Sequence, residues 1–196
     1  MDDWRCRLAA QPRTTTERLR EEGIYMGGGF ADAWGTFSED RDGPLITYAP
    51  EICTNPTVLI AVLAHEVGHL RLSRAGARRP WGRETEEPLT DLVAIAMGFG
   101  LHVTSTAVVL SSVGDGPFRS QGVSTSGYLS ERERAFALAI FTEVQQRDAD
   151  DVARQLSANP RRSFQAAVEA LRTEHAAAIA SLRAMHAAPG LSDLLT

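Results

Sequence analysis

Residues 61–72 read AVLAHEVGHLRL, and the rest of the chain is organised around them. The stretch holds His65, Glu66 and His69 as a complete HExxH. On an α-helix, positions i and i+4 lie on one face, a turn apart. His65 and His69 therefore present two imidazoles to a single metal ion, and Glu66 stands beside them as a base. The flanking residues predict the helix independently. Asn55-Pro56 supplies an N-cap and a proline at the first helical position. Val58, Leu59, Val62, Leu63 and Val67 form a core-facing stripe, so the helix should run from Pro56 to about Ser73.

Upstream, residues 24–38 (IYMGGGFADAWGTFS) mix apolar and aromatic residues with glycines in partial alternation, which predicts one or two irregular strands. EDRDGP at 39–44 is a turn signal, and LITYAP at 45–50 predicts a second strand. A hairpin thus leads into the HExxH helix. Residues 4–22 predict a helix interrupted near Pro12, with Gly23 as its stop.

Downstream, residues 85–98 predict a second helix, with Pro88 in its first turn or at a kink. Its nearly continuous apolar run from Leu89 to Met97 predicts deep burial, and Gly98 and Gly100 either end it or let another backbone approach closely. Residues 101–110 fit a strand or a helical extension, and 111–127 read as a loop. Ser130 and Glu133 form a capping box ahead of an amphipathic helix. Further helices are expected at about 148–157 and 160–187, divided by Asn159-Pro160. The expected organisation is a core over 1–110, a flexible loop over 111–127 and a helical region over 128–196 that packs on or covers the core.

Composition narrows the function classes. The chain has 196 residues, 43% of them hydrophobic, enough for a sizeable core. The net charge of −5 gives no basis for a nucleic-acid partner. All 20 basic residues are arginine, which excludes Schiff-base lysine chemistry. Cys6 and Cys53 are too few for a disulfide framework and lack CxxC spacing. The opening MDDWRCRL has no apolar core of a signal peptide, and no run approaches the ~20 apolar residues of a membrane span. A cytoplasmic location with no membrane partner is the expectation.

The third metal ligand decides the subclass. A metzincin continuation requires Gly at 72 and His at 75, where this chain has Leu72 and Ala75. The remaining candidates are Glu84, Glu86 and Glu87 at the start of the second helix. Glu87 and Asp91 are spaced i, i+4, on one helical face. HExxH followed by ExxxD on a second helix resembles the gluzincin metallopeptidases, and the short interval from His69 to Glu87 resembles their compact minigluzincin members. The resemblance covers residues 24–100.

It implies an α+β, zincin-like fold: a small N-terminal sheet or hairpin packed on the HExxH helix and a second ligand-bearing helix, followed by a helical C-terminal region. It implies Zn2+ held by His65, His69 and Glu87, with Glu66 as general base and Asp91 orienting a zinc-bound histidine through its ring N–H. Glu86 stands as the alternative to Glu87. The strand containing Trp34 and Gly35 becomes the edge that pairs with an extended peptide or protein substrate. Tyr128, or else His102, is the candidate to stabilise the oxyanion. The implied activity is peptide-bond hydrolysis by a zinc-activated water, with restricted specificity. The competing reading is a zinc-binding regulatory or protein-interaction module that keeps the fold with little peptidase activity. Intact Glu66 favours the enzyme, because a purely structural site has no use for a base.

Overall fold

A computed structural model describes residues 5–10, 34–75, 83–111 and 129–187. Chain contacts divide it into two compact units, Met1–Arg78 and Arg79–Thr196. The architecture is α+β, a small three-stranded sheet with a majority of helices.

In the first unit, β2 (Gly35–Asp40) and β3 (Gly43–Tyr48) form the expected hairpin, paired from Gly35↔Tyr48 to Asp40↔Gly43. The turn is tighter than EDRDGP implied, because the ladder continues to Asp40 and leaves only Arg41 and Asp42 between the strands. Gly43 closes it with a φ of 98°, a conformation that penalises any Cβ. Across the sheet, Thr36 and Thr47 join their hydroxyls at 2.7 Å.

β1 (Arg7–Ala10) corrects the expected helix over 4–22: it lies parallel to β3, giving the order β1-β3-β2. All four of its residues are exposed. With no apolar face to bury, a helix there has little tertiary support, whereas a strand satisfies its backbone against β3. Arg7 reinforces the pairing by donating to the Gly43 carbonyl at 3.3 Å. Residues 11–33 lie outside the described residues.

A 3₁₀ turn over Pro50–Thr54 buries Ile52 and delivers the chain to Asn55. The Asn55 side chain accepts from the Val58 N–H at 3.3 Å, and Pro56 follows at the first helical position. Helix α1 (Pro56–Arg74) then ends one residue beyond its expected limit. Its buried residues include Val58, Val62, His65, Glu66 and Leu70, and it packs on β2 and β3.

In the second unit, α2 (Arg83–Ala94) passes through a π-helical segment (Ile95–Phe99) into α3 (Gly100–Ser111). Residues 101–110 are therefore helical. Pro88 lies inside α2, in its second turn. The two glycines have different roles. Gly98, at φ 96°, interrupts the helix in a left-handed conformation. Gly100 allows close approach: a Cβ there would lie 2.7 Å from Leu138 Cδ1.

Because these segments run on as one span, Thr85–Thr106 is long and apolar enough to cross a membrane by length and composition. It is not a continuous apolar run, since Glu86, Glu87 and Asp91 interrupt it. The same span carries Asp91, which is buried and ion-paired with Arg134. A paired carboxylate of this kind belongs to a packed protein interior more readily than to a lipid face.

Helix α4 (Glu131–Val144) starts at the expected capping box: Glu133 N–H donates to Ser130 Oγ at 3.4 Å, and Ser130 N–H to Glu133 Oε2 at 2.7 Å. These bonds to Ser130 hold the Glu133 carboxyl below its ordinary value. Helices α5 (Ala149–Gln155), α6 (Ala158–Thr173) and α7 (Ala176–His186) follow.

The expected break at Asn159-Pro160 falls earlier, at Leu156-Ser157, and the long final helix is split again at Glu174-His175. Pro160 sits in the first turn of α6, where its missing N–H removes no helical bond. These helices build their own core from Ala135, Leu138, Leu156, Phe164, Val168, Leu171 and Ile179. Burying each of the larger side chains contributes about 1.5–3 kcal/mol. Glu143 ties the layer together, accepting from Arg172 at 2.8 Å and Arg183 at 3.0 Å.

Candidate metal centre

Helix α1 carries HExxH on its packed side. His65 is 8% exposed and Glu66 6%, a low exposure for a histidine and a carboxylate. The His65 and His69 rings meet edge to face, with centroids 4.9 Å apart. This is the i, i+4 juxtaposition that the spacing predicts.

Strand β2 lies along the same helix. Its period of two puts Gly35, Phe37 and Glu39 on one face, and each meets α1 in turn. Gly35 faces Val62 and Glu66. The Phe37 ring stacks on His69, with centroids 6.4 Å apart and planes within 6°. Glu39 accepts from the Ser73 hydroxyl at 3.3 Å. Sequence reasoning missed Phe37, although the alternation that placed Gly35 in a strand also places Phe37 beside it.

The ligand atoms of His65, His69 and Glu87 all lie within 4.8 Å of one another. A tetrahedral ion with bonds of ~2.0–2.2 Å spaces its ligand atoms about 3.4 Å apart, so side-chain adjustment of an ångström or so closes the set. Two imidazoles and one carboxylate match the donor set of catalytic zinc sites that keep a fourth position open. The same donors also accept other first-row divalent ions. Of the three candidate glutamates, Glu87 belongs to this group; the side chain of Glu84 lies outside the described residues.

Asp91, one turn after Glu87, is 2% exposed. Its Oδ2 accepts from Arg134 Nε at 3.1 Å, from Arg134 Nη2 at 3.0 Å and from the Leu129 N–H at 3.2 Å. Arg134 is itself 5% exposed and also donates to the Val103 carbonyl at 3.4 Å. This buried pair was not anticipated. Its signal was an arginine on the apolar stripe of α4, beside Ala135 and one turn before Leu138.

Trp34 is half-buried, and its carbonyl accepts from the Ala49 N–H at 2.9 Å, fastening the start of β2 to the end of β3. His102 is on α3, half-buried, with its carbonyl accepting from Thr106. Tyr128 lies outside the described residues. No protein-family model matches the chain, and no curated protein or solved structure is detectably similar to it.

Proposed function

We propose that this chain is a zinc-dependent metallopeptidase, a hydrolase of peptide bonds with restricted specificity. The observation that carries the reading is the gathering of His65, His69 and Glu87 within ligand distance of one another, the two histidines standing on the helix that also holds Glu66. These three residues would hold zinc, which when bound acts as a Lewis acid and lowers the pKa of water at its open position towards ~7.

The remaining chemistry belongs to the chain. Glu66 takes the proton from the attacking water on a carboxylate oxygen and delivers it to the leaving amine. His65 and His69 need fixed tautomers to ligate, and Asp91 is proposed to orient one of them by accepting its ring N–H. Arg134 holds Asp91 in place for that task. Tyr128 remains the proposed donor to the developing oxyanion. The segment at Trp34-Gly35, where β2 begins, is proposed as the edge that receives an extended peptide. A cytoplasmic setting is part of the proposal and accords with the free thiols of Cys6 and Cys53.

Glu87→Ala tests the ligand set. Elemental analysis of the zinc-loaded variant should give less than one zinc per chain, because two imidazoles alone hold the ion weakly. A full complement would transfer the role to Glu86 or Asp91.

A further inference from the structure

Resting on the peptidase reading, we infer that Gly35 is a positioning residue for Glu66: the side chain it lacks leaves the space in which the carboxylate of the base sits. Glycine is not required there by backbone conformation, since positive φ among the described glycines occurs only at Gly43 and Gly98. Space requires it. A Cβ at residue 35 would lie 2.6 Å from Val62 Cγ1 and 3.1 Å from both Cγ and Oε1 of Glu66. Both the stem and a proton-accepting oxygen of the base therefore border the space that a side chain at residue 35 would fill.

The strand cannot easily retreat. Gly35 is in register with Tyr48, the Trp34 carbonyl is bonded to Ala49, and the Thr36 hydroxyl is bonded to Thr47. Further along, Phe37 and Glu39 hold the same face of β2 to His69 and Ser73. On the helix, Val62 is β-branched and confined to one preferred rotamer. The long, unbranched side chain of Glu66 is what gives way when residue 35 acquires a methyl group. Gly35 thereby sets where the carboxylate rests without itself touching the reacting atoms.

Gly35→Ala and the pair Gly35→Ala/Val62→Ala test this, with Val62→Ala as reference. The double variant removes the severest overlap, so its Tm should return to that of Val62→Ala. Its kcat should still fall by about 3–10-fold: a Cβ 3.1 Å from Glu66 obliges that side chain to shift by a few tenths of an ångström, and a misplacement of about 1 Å costs on the order of 100-fold. Zinc content should stay unchanged, which a loss of folding would not allow. A kcat equal to that of Val62→Ala would overturn the inference. If the unmodified chain hydrolyses nothing in a peptide library, the peptidase reading fails separately. Crystals of the zinc-loaded Gly35→Ala/Val62→Ala chain then decide: a displaced Glu66 carboxylate upholds the positioning role, and an unmoved one refutes it.

Discussion

Glu66→Gln is expected to lower peptide hydrolysis by about 10²–10⁴-fold, the range that general-base catalysis supplies. That loss corresponds to roughly 3–5 kcal/mol of transition-state stabilisation. The substitution suits the site because it keeps shape and removes only basicity. Gln occupies nearly the same volume, so the space beside Gly35 is filled as before. Glu66 is not one of the three grouped ligands, so zinc content should remain at one per chain. The measurement is turnover on a peptide library alongside metal analysis of the same sample. Turnover equal to that of the unmodified chain would remove Glu66 from the role of base. Lost zinc would show instead that Glu66 helps to hold the ion.

Arg134→Met should destabilise the second unit by about 3–5 kcal/mol, the usual cost of leaving one partner of a buried ion pair alone. The magnitude follows from burial. Asp91 and Arg134 are 2% and 5% exposed, and this arginine brings two N–H donors to Asp91 Oδ2. Methionine fills the space of the aliphatic stem but donates nothing, so the buried carboxylate would lose the charge and the two hydrogen bonds that Arg134 gives it. In urea denaturation the midpoint should fall accordingly. Replacing both charges, in Arg134→Met/Asp91→Leu, should recover most of the stability, because apolar pairs of similar volume often match or exceed buried ion pairs. A single variant within about 1 kcal/mol of the unmodified chain would show that solvent reaches the pair.

What could be read from the sequence was what local signals encode. The span of α1, its Asn55 cap and Pro56, the hairpin into it and the Ser130–Glu133 capping box all depend on residues a few positions apart. His65 and His69 were legible for the same reason, since one helical turn brings them together. Features that depend on distant partners were not. β1 exists because residues 7–10 find β3, and nothing within those four residues predicts it. Arg134 reaches Asp91 across 43 residues. Glu87 was reachable only through its resemblance to a known pattern, because sequence spacing cannot bring a second helix to the first. The break at Glu174-His175 was blurred by helix-forming neighbours on both sides.

The most direct measurement of the central claim is anomalous diffraction at the zinc edge from crystals of the zinc-loaded chain. The account predicts a single strong peak per chain at about 2.0–2.2 Å from one ligand atom each of His65, His69 and Glu87. A peak ligated by other residues, or no peak at this triad in zinc-saturated crystals, would contradict it.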